Sequence, residues 1–226
     1  MSGERVVAID GPSASGKSST AGLVAQRLGL IHVDTGALYR ALAWVALEEG
    51  SEDPDQVLPG ATRAGLSLDP VGGALVVRAN GRDIEAALRT PEVSAGASRV
   101  ASHPELREWV NLRLREGVAA AGGGVLDGRD IGTVVFPDAR LKVFLTASPE
   151  ARAGRRLQQR DGAIDPELLA GEATALAERD ARDAERAVAP LRQAADAILI
   201  DTTSLSLAAQ VDRIVALALE RGLPGQ

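Results

Sequence analysis

Short apolar runs along the chain end in a polar residue or a turn and give way to stretches whose apolar positions recur every three or four residues. That alternation reads as strand–helix units laid on a parallel sheet. It predicts strands over 5–9, 31–33, 124–126, 141–145 and 197–200, and helices over 17–28, 37–49, 104–121, 148–160, 166–187 and 207–221. Four of the strands run into an aspartate: Asp10, Asp34, Asp127 and Asp201. Ligands of open α/β sheets gather beyond the carboxyl ends of strands, so magnesium or hydroxyl contacts are expected there.

From about residue 62 to residue 84 the rhythm changes. Leu66-Ser67-Leu68 and residues 74–79 are short apolar stretches, and Asn80-Gly81 precedes a third short stretch, 82–84. Asn-Gly between such stretches is a strong hairpin signal, because both turn residues must adopt positive φ. A small antiparallel insert is expected, continued by helical turns to Ala101.

Composition narrows the class. The chain has 226 residues, 45% apolar and 25% charged, which suits a folded protein that needs no covalent staples. One unit with an inserted subdomain, or two small domains, is the expected range. Aromatics are 2%, so the core must be aliphatic. Cysteine is absent, which excludes disulfides and thiolate metal sites, and His32 and His103 are too few for a histidine cage. A net charge of −6 argues against a nucleic-acid or membrane-surface partner. No apolar run has signal or spanning length, so a cytoplasmic protein is expected, with a monomer as the default. Of 25 basic residues only Lys17 and Lys142 are lysine. A coding bias gives the same ratio, so position must carry the argument.

Residues 11–18 read Gly11-Pro12-Ser13-Ala14-Ser15-Gly16-Lys17-Ser18, the pattern G-x-x-x-x-G-K-[ST], between a predicted strand and a predicted helix. Glycines let backbone N–H groups turn inward to cradle phosphate oxygens, and the helix start adds its dipole. Lys17 supplies a charge for the β- and γ-phosphates, and the Ser18 hydroxyl is a ligand for Mg²⁺. A shuffled chain of this composition would carry such a match in roughly 0.2% of cases. These residues and Ser19 behind them are the candidate ATP-binding set. No Asn-Lys-x-Asp run is present, which disfavours a GTPase.

Arginines suggest a second anion. Arg152, Arg155, Arg156 and Arg160 share one helical face, either a cover that neutralises a transferring phosphoryl group or a solvated face with partners elsewhere. Arg179, Arg182, Asp183 and Arg186 form a second cluster; Arg179–Asp183 and Glu178–Arg182 are alternatively plain i,i+4 ion pairs. Asp127-Gly128-Arg129-Asp130 follows a strand, either as an acceptor clamp or as a polar turn. Thr35 and Arg40 follow another strand, with Thr35 alternatively an N-cap.

Together the segments 9–18, Asp34-Thr35-Gly36-Ala37-Leu38-Tyr39-Arg40, Ala97-Ser98-Arg99-Val100-Ala101, 127–139 and 178–191 resemble the bacterial cytidylate kinases, relatives of adenylate kinase. The resemblance covers nearly the whole chain. It implies a P-loop fold with five parallel strands in the order 2-3-1-4-5, flanked by helices. It further implies a core of residues 1–61 and 101–226, an inserted CMP-binding subdomain over 62–100 and a helical lid over about 151–166. The substrates implied are ATP with Mg²⁺ and CMP or dCMP. Thr35, Arg40 and Arg129 would then hold the acceptor phosphate. Ser98, Arg107 and Asp130 would read cytosine, and Arg179 and Asp183 would hold the ribose, supported by Arg186. Lys17, Arg129, Arg152 and Arg156 would be catalytic. Ser18 would hold the metal, with Asp34 or Asp127 ordering its waters. The base assignment is chemically coherent. A carboxylate accepts from the cytosine amino group while Arg107 and Ser98 donate to its ring nitrogen and carbonyl; uracil mismatches the first two contacts.

Overall fold

The computed structural model describes residues 3–225. Its central strand, β1 (Val6–Asp10), is buried along its whole length. Val6 and Ala8 enter one hydrophobic core, Val7 and Ile9 the other. Such a strand belongs in the middle of a parallel sheet covered by helices on both faces. β1 lies between β6 (Gly124–Gly128) and β7 (Leu141–Thr146), with β2 (Ile31–Asp34) beyond β6 and β8 (Ile198–Asp201) beyond β7. All four pairings are parallel, and the core order in chain sequence is 2-3-1-4-5, as expected.

The insert lengthens this sheet. β4 (Ala74–Ala79) pairs parallel with β2 through His32↔Ala74 and Val33↔Leu75, and antiparallel with β3 (Leu66–Val71) and β5 (Arg82–Asp83). The result is one sheet of eight strands, the five parallel core strands extended by the antiparallel insert. β2 would otherwise present an open edge, which pairing with β4 covers. Asn80 and Gly81 have φ of 48° and 71°, the hairpin geometry that Asn-Gly announces. Gly72 and Gly73, at 57° and 83°, make the β3–β4 turn in the same way.

α1 (Lys17–Leu28) and α9 (Leu207–Glu220) cover one face, with Val24 and Ile214 in the core. The other face is covered by α2 (Thr35–Glu49), α3 (Pro54–Arg63), α5 (Pro91–Val100) and α6 (Pro104–Ala120), with the short α4 (Glu85–Leu88) between β5 and α5. α7 (Pro149–Asp161) and α8 (Pro166–Ala184) form a helical hairpin whose inner positions reach the loop after β1. α3, α5, α6, α7 and α8 each open on a proline, whose fixed φ suits the first helical position. Asp53, Thr90, Ser148 and Asp165 cap four of them by accepting from an N–H of the first turn.

Some elements differ from expectation. α3 is additional; Pro59 and Gly60 inside it blur the apolar period. α8 stops at Ala184, before the expected 187, because the Leu191 N–H folds back onto the Asp183 carbonyl at 2.8 Å. α2 starts at Thr35, so Asp34 is the N-cap residue and the capping alternative for Thr35 does not hold. After β6 the chain makes a π-helix, Ile131–Val135, where a polar turn was the alternative to a clamp. Among the described residues no helix is long and apolar enough to cross a membrane.

Leu126 on β6 is fully buried beside β1. Leu126→Ala is expected to cost about 3 kcal/mol, seen as a lower urea midpoint with an unchanged slope.

Candidate active site

The loop leaving β1 is shaped by close approach. Gly11 has φ 147°, and a Cβ there would stand 2.0 Å from the Leu145 carbonyl oxygen on β7. Gly16 is left-handed at φ 94° and Ala14 at 58°. No side chain caps the start of α1, which leaves its first N–H groups free for a ligand. Lys17 is buried; its Nζ donates to the Pro12 carbonyl (2.5 Å) and to Ser15 Oγ (3.4 Å). Burial first, and the nearby Arg129 second, hold its pKa well below the ordinary 10.5. A lysine so placed gains from an incoming anion.

Ser18 Oγ donates to Asp127 Oδ2 at 2.5 Å, and Asp127 Oδ1 lies 2.8 Å from His32 Nε2. Asp34 instead pairs with Arg40 at 2.6 Å. Ser19 is exposed on the first turn of α1. Among the described residues no group of three or more acidic, histidine or cysteine side chains forms a metal cage. The Ser18 hydroxyl and Asp127 carboxylate are nevertheless hard oxygen donors of the kind Mg²⁺ takes when phosphates complete its shell.

Arg129 joins the loop to a second cluster. Its Nη2 donates to Ser13 Oγ (2.7 Å) and its Nε to Asp183 Oδ2 (3.0 Å). Asp183 also receives Arg186 (2.5 Å) and Ser98 Oγ (3.0 Å). Three distant segments thus meet on one carboxylate. Burial would raise the Asp183 pKa, but Arg129 and Arg186 outweigh it and hold it below 3.8. The i,i+4 pair with Arg179 does not form. Arg179 has no ion-pair partner among the described residues, and burial, then Arg129, lowers its pKa to about 10. Arg40, Arg179 and Arg186 each keep a buried Nε without an acceptor. Unmet donors on crowded cations mark a seat for an anion.

Arg107 and Asp130 form a buried ion pair; Arg107 also donates to the Ala101 carbonyl (3.1 Å) and lies 5.3 Å from the Tyr39 ring centre. Thr35 Oγ1 donates to the Asp127 carbonyl at 2.7 Å.

The arginine face of α7 divides. Arg152 donates to the Ser13 carbonyl (3.1 Å) and pairs with Asp180, whose Oδ1 receives the Ser13 N–H at 2.8 Å. Arg155 reaches the Ser15 carbonyl (3.3 Å) and Thr202 Oγ1 (2.9 Å). Arg156 makes no ion pair among the described residues and acts on Arg179 through its charge. Arg160 pairs with Glu172 at 3.0 Å, away from the loop. Sequence reasoning missed Asp180, Thr202 and the contact of His32 with Asp127. Asp180 adjoins the arginine cluster but has no motif of its own; the other two meet their partners only through strand pairing.

A phosphate loop facing a converging set of arginines at the carboxyl ends of a parallel sheet defines a P-loop phosphotransferase of the nucleoside monophosphate kinase kind. The profile described as cytidylate kinase matches residues 7–220. A cytidylate kinase of Anoxybacillus flavithermus is 46% identical over 95% of this chain and 96% of its own. Those of Streptomyces griseus (43%, over 94% and 91%) and Stutzerimonas stutzeri (44%, over 97% and 97%) are similarly close. The chain belongs to the cytidylate kinase family.

Two outcomes are expected. Asp130→Ala strands the Arg107 charge and should destabilise by about 3–5 kcal/mol in urea unfolding, whereas Arg107→Leu with Asp130→Leu should cost less than that single change. For His32, burial lowers the pKa but the Asp127 hydrogen bond and charge outweigh it, leaving it above 6.5. Its stabilisation is therefore complete below 6.5 and fades as pH rises through the folded value. His32→Gln should flatten the stability–pH curve above 6.5.

Proposed function

We propose that the chain transfers the γ-phosphoryl group of ATP to CMP, and to dCMP, giving the diphosphate. The observation that carries this reading is Arg129, which bonds Ser13 of the phosphate loop on one side and Asp183 of the second cluster on the other. One guanidinium thus spans donor and acceptor seats, which suits a transfer between two bound anions.

The triphosphate lies along residues 11–18, with Lys17 following the γ-phosphoryl group and Ser19 flanking the loop. Mg²⁺, when bound, neutralises charge on the phosphate oxygens; Ser18 would hold it, with Asp127 ordering its waters. Asp127 suits this better than Asp34, whose carboxylate is taken by Arg40. A groove of about 580 Å³ is lined by polar side chains such as Arg155 and Gln158 together with Ile164 and Leu169, and Arg155 ties it to the loop at the Ser15 carbonyl, which suits it to a purine ring.

Thr35, Arg40 and Arg129 take the CMP phosphate. Arg179 and Asp183, braced by Arg186, take the ribose. Arg107, Asp130 and Ser98 read the base, the carboxylate accepting from the amino group. The acceptor oxygen attacks in line and no side-chain nucleophile is required. Catalysis consists of alignment plus neutralisation by Lys17, Arg129, Arg152 and Arg156. Residues 62–100 act as the CMP-side insert of a core made of 1–61 and 101–226, with a lid over about 151–166. The reach of Ser98 on α5 to Asp183 on α8 supports that division of labour. Closure of the lid would exclude water and prevent hydrolysis of ATP.

ADP release measured in parallel with CMP, dCMP, UMP, AMP and shikimate tests the assignment: CMP and dCMP should dominate, and equal rates with UMP or AMP would sink the base reading. Lys17→Ala should lower kcat by about 10²–10³-fold while the circular dichroism spectrum is unchanged. Arg107→Ala should raise KM for CMP far more than KM for ATP.

A further inference from the structure

Asp10 closes β1 immediately before the phosphate loop, yet its carboxylate faces the turn that follows β6. Oδ1 accepts from the Ile131 N–H and Oδ2 from the Gly132 N–H, both at 2.8 Å, and the residue is 5% exposed. Those amides open the π-helix Ile131–Val135, whose N-cap residue is Asp130, directly after Arg129. Since π-geometry is uncommon and occurs mostly at functional sites, this turn needs support from outside itself.

The far end is held as well. Arg115 donates to the Val134 and Val135 carbonyls, both at 3.0 Å, and Lys142 Nζ to the Pro137 carbonyl at 2.5 Å. Gly132 fits because a Cβ there would come within 3.1 Å of the Lys142 stem and 3.4 Å of Asp10 Oδ2.

We propose that Asp10 is a positioning residue for the acceptor: by gripping the first two amides of the π-turn it sets where Arg129 and Asp130 stand relative to the phosphate loop. The role needs a carboxylate. Two acceptor oxygens on a short stem meet two adjacent N–H groups, whereas an asparagine offers one acceptor and turns a donor toward the other. Burial raises the Asp10 pKa to about 6, an unfavourable setting for a charge that had no task. This inference rests on the reading of Asp130 as part of the base site.

The test compares Asp10→Asn with Asp130→Ala. KM and kcat are measured for CMP and UMP at saturating ATP, and ATP affinity is measured separately by calorimetric titration. Asp10→Asn should raise KM for CMP about tenfold and cut the CMP-over-UMP preference in kcat/KM by a similar factor, with ATP affinity within about twofold of the parent. An unchanged preference, or an equal loss of ATP affinity, would overturn the role of Asp10. No effect of Asp130→Ala on CMP would instead remove the base-site reading. Should Asp10→Asn not fold, hydrogen exchange on the unaltered protein decides: strong protection of the Ile131 and Gly132 amides supports the grip, and exchange as fast as in open loops refutes it.

Discussion

Positive charge gathered beside the phosphate loop in excess of its local counter-charge is the condition around which this molecule is arranged. Lys17 and Arg179 each have a pKa depressed by burial and then by the same neighbour, Arg129. Cations that weaken one another in a partly dry setting gain most when an anion arrives, because Coulomb attraction grows as water is excluded. The carboxylates among them, Asp34, Asp180 and Asp183, each bind at least one arginine and so keep the cluster ordered.

Strand order makes this gathering possible. β1 and β6 are far apart in sequence, yet their pairing sets Asp10 opposite Gly128, which brings the phosphate loop and the turn carrying Arg129 and Asp130 to one edge. α7 and α8 close over that edge with Arg152 and Asp180, and α5 reaches it through Ser98. Asp183 is where α5, the post-β6 turn and the α7–α8 hairpin meet, through Ser98, Arg129 and Arg186.

Much of this was legible in the linear chain. The five core strands and six of the helices follow from apolar periodicity, and their order from the family resemblance. The phosphate loop is legible because its function lies in consecutive backbone groups. The helix α3 was hidden by Pro59 and Gly60, and the π-helix has no periodic signature in five residues. The hairpin was visible from Asn80-Gly81, but its bonding to β2 was not, since strand pairing leaves no mark in local composition.

What the sequence determined by itself is therefore local: periodicity, turn chemistry and the eight-residue cradle, each encoded by neighbours in the chain. Which charge meets which was decided only by the fold. Spacing alone allows Asp183 to pair with Arg179, yet it binds Arg129 and Arg186; Asp10 and Asp127 look alike as strand-end carboxylates, yet one holds backbone amides and the other the Ser18 hydroxyl. Electrostatic partners are chosen by distance through space. Distance between residues more than a hundred positions apart is set by sheet pairing, not by any short stretch of chain.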